Sequence, residues 1–377
     1  MKANYIILCI LLGTLLPAAL PAVSLPVADY EKRITETYSI TKDGRVKLDN
    51  RYGQIKVVTW DQPQVKIDVL IKVQARSKED FERVLERIDV TLNSSGNLVS
   101  AVTTIESGDS GGWWKFITGG GSSSNDFKIY YTVSMPATVE LETKARYCDV
   151  DLPNLSGATY LDVGYGDLVA GRLTGSAELD ISYGSARVEE VGNDSRVKFR
   201  YSEGSVRRAG DVRYDGRYSE VRFGKVGDIT LDIGYEEVEI ESAGVVRMDG
   251  NYNELSVEQA TSIYADGNYS DYDFGTVTEV LEVDGNYGDI DVDRLATGFK
   301  RVNIRVSYSD VDIDVDDSAG YTLDLRARYG DIDVPRNDLS PRNIQNEGST
   351  STVTGTKAGT GSGTIKIETN YGDIEIY

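Results

Sequence analysis

Twelve times between residues 147 and 371 a tyrosine recurs, followed by a small residue and usually an acid. The copies run from "RYCDV", "GYGDL" and "SYGSA" to "SYSDV", "RYGDI" and "NYGDI". Their tyrosines are Tyr147, Tyr165, Tyr183, Tyr201, Tyr218, Tyr235, Tyr252, Tyr269, Tyr287, Tyr308, Tyr329 and Tyr371. The steps are 17 or 18 residues as far as Tyr287, then 21, 21 and 42. The last step is twice 21, which implies one coil that lacks its tyrosine or carries an insertion. A constant period of this length is the signature of a stacked repeat.

The pattern inside one period points to strands. Apolar or small residues alternate on both sides of the tyrosine, as Leu231, Ile233, Tyr235, Val238 and Ile240 show. Alternation of period two makes a strand with one buried face. The parity slips at the small-acid pair, so the chain bends there. A unit of about 18 residues cannot bury its inner face alone, and stacking the units gives one continuous core. The expected fold is all-β: a parallel β-solenoid of about 12–13 coils, which a same-register period fits better than the rival, an antiparallel meander or sandwich of hairpins. At about 4.8 Å per coil the rod is on the order of 60 Å long, with the tyrosines in a ladder, inward or at a corner.

The remaining segments differ. Met1-Lys2, an apolar run from Tyr5 to Leu16 and the small-residue stretch around Ala22 and Ser24 read as a signal peptide over residues 1–24. Residues 25–145 read as a small β-rich N-terminal cap with one short helix near 77–88. There "SKEDFERVLERI" offers a Ser N-cap, acids in the first turn and an apolar stripe. The repeats fill 146–377, with a flexible Gly/Ser/Thr-rich insertion near 337–363. Cys148 is the one cysteine after the leader, so no internal disulfide is expected.

Charge narrows the function. The chain carries −21 and no histidine. An anionic chain repels phosphate, which argues against nucleic acid. Without histidine there is no Ser-His-Asp triad and no His-ligated zinc. The net charge lies in the repeats. Residues 228–293 hold eighteen acids and a single basic residue, Arg247, just after a basic band at 196–225. Two acidic columns are expected, one three residues before each tyrosine and one two residues after. Like charges about 5 Å apart repel, so hydrogen bonds, cations or raised pKa values should offset them. The acid after the tyrosine is expected to accept backbone N–H bonds at the bend, as in an Asx turn. Asp232, Asp249, Asp266 and Asp284 form a candidate cation column, although the glycine-rich nonapeptide of calcium β-rolls is missing. No cofactor is expected. Asn251, Asn268 and Asn286 suit a stacked side-chain ladder. Trp113, Trp114 and Phe116, in a glycine-flanked loop, are candidates for contact with a membrane surface or a partner, or for covering the open end of the core.

"NRYGQIKVVTW", "VKIDVLIKVQA", the "SKEDFERVLERI" helix and the repeated "YGDI" units resemble the adhesin-like β-strand-repeat family of bacterial envelope proteins, of auto-transporter adhesin type. The resemblance spans nearly the whole chain after the leader. It implies an exported, non-enzymatic β-solenoid located in the periplasm, the outer membrane or the cell surface. Expected partners are an envelope protein or a glycan. The alternatives are an envelope sensor or scaffold acting through the Trp113-Trp114 loop, and a β-helical enzyme acting on polysaccharide.

Overall fold

The computed structural model describes residues 28–106, 127–335 and 339–377. Residues 1–24, expected to be a leader, and the loop carrying Trp113, Trp114 and Phe116 lie outside the described residues.

Each repeat supplies a strand before its tyrosine and another after it. Around Tyr165 these are Thr159–Gly164 and Leu168–Leu173. Each pairs in parallel with its counterpart one period on, Leu161 opposite Leu179 and Leu168 opposite Ala186. Same-direction pairing at a constant offset makes a parallel β-solenoid with two strand walls per coil. The inward positions form one core. Leu161, Val163, Leu168 and Ala170 are all buried, as are their equivalents along the stack. A buried Leu, Ile or Val contributes about 1.5–3 kcal/mol, so adding a coil to the stack is favourable even though a lone coil is not. Residues eight after the tyrosines, such as Leu173, Val191, Val226 and Val277, close the far corner and are buried.

The bend is sharp because the tyrosine itself is left-handed. Tyr52 and all twelve repeat tyrosines have φ between 51° and 63°. A non-glycine residue there costs on the order of 1–2 kcal/mol. From Tyr165 to Tyr371 along the file, the conformation aims the tyrosine N–H at the residue preceding the next tyrosine on the rod, while Tyr329 at the end donates to Ser349 O. Tyr165 N–H donates to Ser182 O at 2.9 Å, and Tyr252 N–H to Asn268 O at 2.9 Å.

At the N-terminal end the strands are β1 (Ala28–Ser39), β2 (Arg45–Thr59), β3 (Gln64–Ala75), β4 (Ile88–Ser95), β5 (Leu98–Ile105), β6 (Phe127–Met135) and β7 (Glu140–Leu152). β2 bends at Tyr52 and pairs in parallel with β7 along almost its whole length, so it forms a coil of its own. Beyond β2 one wall continues through β5 to β4. The other continues through β6 and β3 to β1. Helix α1 (Lys78–Leu85) packs on β3 and β4 and starts where Ser77 Oγ accepts from the Asp80 N–H at 3.2 Å.

The C-terminal end departs from the sequence expectation. Tyr371 is not two levels beyond Tyr329. The strand Thr360–Asn370 lies between Arg301–Ser307 and Ala319–Arg328, parallel to both. The chain therefore passes over one level, builds the next, and returns to fill the gap. Among the described residues no coil lacks its tyrosine; the step of 42 carries an inserted hairpin and a return. The stretch expected to be a flexible insertion instead contains strands Leu339–Glu347 and Thr350–Lys357, which pair as an antiparallel hairpin. Thr350–Lys357 also pairs antiparallel with Ala319–Arg328, ending the parallel stack.

Candidate functional site

The tyrosine rings form a single file from Tyr52 to Tyr329. Neighbouring centroids are 4.7–5.2 Å apart and the ring planes differ by 14° or less. The order along the file is Tyr308, Tyr371, Tyr329, as the returning strand requires. The twelve repeat rings are 41–51% exposed, so the ladder stands at an outer corner rather than in the core. Phe127 meets Tyr52 edge-on at 5.7 Å, and the Arg328 guanidinium lies 5.3 Å from the Tyr329 ring. Ring faces are thus spent on one another. What meets solvent is a row of ring edges and hydroxyls. A sugar ring stacking on an aromatic face finds no free face along the file.

Stacking contributes about 0.5–1.5 kcal/mol per pair, which offsets the left-handed φ. Tyr252 stacks on both Tyr235 and Tyr269. Tyr252→Gly should lower stability by about 1 kcal/mol, because glycine removes the φ cost together with the two stacks. Tyr252→Val should lose about 2–4 kcal/mol, since a β-branched residue keeps that cost and cannot stack. Urea midpoints check the order; a valine variant as stable as the glycine variant would refute the φ argument.

Beside the ladder runs the acidic row. Around Tyr218, Tyr235 and Tyr252 the two rows form an open groove with Ser202, Ser219, Glu236 and Asn253 on its floor and Glu203, Glu220, Glu237 and Glu254 along one side. The aspartates of the row do accept backbone N–H bonds, but across coils rather than within an Asx turn. Asp167 N–H donates to Asp149 Oδ1 at 3.1 Å, Asp289 N–H to Asp271 Oδ1 at 3.1 Å, and Asp310 N–H to Asp289 Oδ1 at 3.0 Å. Each bond offsets part of the repulsion along the row. Where the residue is glutamate the repulsion persists: burial and the charges of Glu220 and Glu254 raise the Glu237 pKa.

The column three residues before the tyrosines is neutralised piecemeal. Asp232 binds Arg217 at 2.6 Å and Asp284 binds Arg305 at 2.8 Å. Among the described residues no group of three or more acids or cysteines is arranged to hold a metal ion, so Asp232, Asp249, Asp266 and Asp284 stand as a column, not a chelating cluster. Between them and the tyrosines, Asn268 Nδ2 donates to Asn251 Oδ1 at 2.9 Å and Asn286 Nδ2 to Asn268 Oδ1 at 2.8 Å.

One residue breaks the pattern. The position after each tyrosine holds Gly, Ser, Cys or Asn except at Glu236. Its side chain turns inward over Gly216, where a Cβ would stand 2.6 Å from the Glu236 carboxyl carbon. There Oε2 accepts from the buried Tyr214 hydroxyl at 3.0 Å, and Ser219 and Arg217 also favour the charged form. Burial pushes the Glu236 pKa up to about 8 against the hydrogen bond from Tyr214. Cys148 is also buried, and burial raises its pKa to about 12, which leaves an inert thiol.

Residues 103–377 match the family described as Toastrack DUF4097. The chain belongs to that family. Solved structures similar to this Toastrack chain include a candidate cell adhesion protein from Clostridium sporogenes, 9% identical, covering 92% of this chain and 99% of that one at a TM-score of 0.18. A candidate adhesin from Parabacteroides distasonis is 7% identical, covers 92% and 97%, and has a TM-score of 0.24. A candidate lipid-binding protein from the same organism is 10% identical, covers 92% and 96%, and has a TM-score of 0.24. No curated protein matches the Toastrack chain.

Proposed function

We propose that the chain is an exported, non-enzymatic β-solenoid that serves as a structural or adhesin-like element of the cell envelope or surface. The observation that carries this reading is the outer corner of the rod. Half-exposed tyrosine edges and hydroxyls run beside a row of carboxylates, repeated at one coil spacing through the stack. Such a surface repeats its chemistry instead of concentrating it at one place, which suits extended, multivalent contact. Because the ring faces are occupied, contact is polar: hydroxyl hydrogen bonds and carboxylate charge. The partner class is an envelope glycan or protein offering hydrogen-bond donors or cations.

Fractionating native cells and probing them with protease tests location; a cytoplasmic pool untouched on intact cells would end the reading. Panning the folded chain on a glycan array tests the contact chemistry. Binding should be to amine-bearing glycans, weaken with salt, and weaken further when Glu220, Glu237 and Glu254 become Gln. Salt-insensitive binding to neutral glycans would contradict the polar-contact reading.

A further inference from the structure

We propose that two copies of this chain join edge to edge through β1, antiparallel, about a two-fold axis at Ile34. β3 takes one edge of β1 over its full length, from Ala28 opposite Ala75 to Ser39 opposite Gln64. Among the described residues no strand pairs with the other edge. A long open edge exposes unpaired N–H and C=O groups and invites another strand.

The sequence of β1 specifies which strand. Centred on Ile34 it reads as a chemical palindrome on one face: Tyr30, Lys32, Ile34, Glu36, Tyr38. These five share a face because side chains alternate along a strand. That face is the one packed toward the protein, with Tyr30 stacked on Phe81 at 5.2 Å and Ile34 and Tyr38 against the core. The opposite face carries Glu31 with Lys72 and Thr35 with Asp68. Among the described residues, neither Lys32 nor Glu36 makes an ion pair.

A two-fold axis at Ile34 sets Ile34 against Ile34, Tyr30 against Tyr38, and Lys32 against Glu36 twice. The other face then pairs Arg33 with Thr35 and Glu31 with Thr37, so no like charges meet. Keeping the faces aligned, the nearest alternative registers lose this match. One sets Arg33 against Arg33; the other sets Lys32 against Tyr38 and Glu36 against Ile34. Opposite charges across an antiparallel pair stabilise it and like charges oppose it, so the palindrome selects one register. The product is a continuous sheet running β6–β3–β1 into β1–β3–β6 of the second copy.

Charges on the inward face of an edge strand can instead guard a lone edge, and that role predicts a monomer. Sedimentation equilibrium of the full chain separates the two. The expected result is a dimer. Lys32→Glu and Glu36→Lys should each give a folded monomer, because each sets like charges opposite one another. The two single variants mixed together should form a one-to-one heterodimer, and the double variant should again form a homodimer. A monomeric wild-type chain, or a dimer indifferent to both substitutions, overturns the proposal.

Discussion

Deleting residues 358–377 should unfold more than the deleted segment. The strand Thr360–Asn370 separates two levels, so without it Ala319–Arg328 has no parallel partner and the hairpin on its far side has no support. The deletion removes Ile365, Ile367, Ile374 and Ile376, all buried. At about 1.5–3 kcal/mol each, they account for roughly 6–12 kcal/mol of apolar burial. Native-state hydrogen exchange should show protection lost across 319–328 and 339–357, while the coils as far as Tyr287 stay protected. A chain stacked in sequence order would behave oppositely: its last level would leave and 319–328 would stay ordered. Ile367→Ala is the milder version, costing about 2–5 kcal/mol, with the earliest exchange again in 319–328. If those amides keep their protection in the truncated chain, the returning strand is not what holds that level.

The parallel coil and its direction were legible because period and parity are geometric; whether the ladder faced inward or stood at a corner was not. Residues repeating every 17 or 18 positions with alternation on both sides of a bend can bury a common face only by stacking the same way round. Ser77 declared its helix for an equally local reason, since the cap and the N–H it serves are three residues apart. The order of levels was hidden, because spacing counts residues and not height: a step of 42 is the same whether the chain climbs two levels or overshoots and returns. β1 was missed because Tyr30, Ile34 and Tyr38 fall every fourth residue with charges between, which is no strand signal. The aspartate row was expected to bond locally, yet its donors lie one coil away, beyond what a turn motif can show. Glu236 looked like one more acid in an acidic repeat. Its signal was present in two coils at once, as a large residue in a small-residue position with Tyr214 and Gly216 in the coil before.

That glutamate gives the second large expected effect. Its folded pKa of about 8 lies far above the ordinary value near 4.3 that an unfolded chain would show. Between those two values the folded state holds a proton that the unfolded state has released. Stability is therefore full below about pH 4 and falls as pH rises, by up to about 1.4 kcal/mol per unit, until it levels near pH 8. Above that point a charge sits buried beside Tyr214, and Tyr214, Ser219 and Arg217 offset only part of the cost of burying it. Glu236→Gln keeps the shape and the acceptor for the Tyr214 hydroxyl but cannot ionise. It should match wild type near pH 4 and exceed it by about 2–4 kcal/mol at pH 9. Glu237, Asp273 and Asp312 have raised pKa values too and tilt both proteins the same way, so the difference between the two curves isolates Glu236. Repacking tests the same geometry from the other side. Gly216→Val alone should destabilise strongly, because its Cβ would stand 2.5 Å from the buried Tyr214 ring. Adding Tyr214→Leu and Glu236→Ser restores the composition of the neighbouring coils and should recover most of the loss. Urea unfolding from about pH 4 to 9 decides the matter: curves for wild type and Glu236→Gln that stay parallel throughout would mean the carboxyl is solvated and the buried pair with Tyr214 does not form.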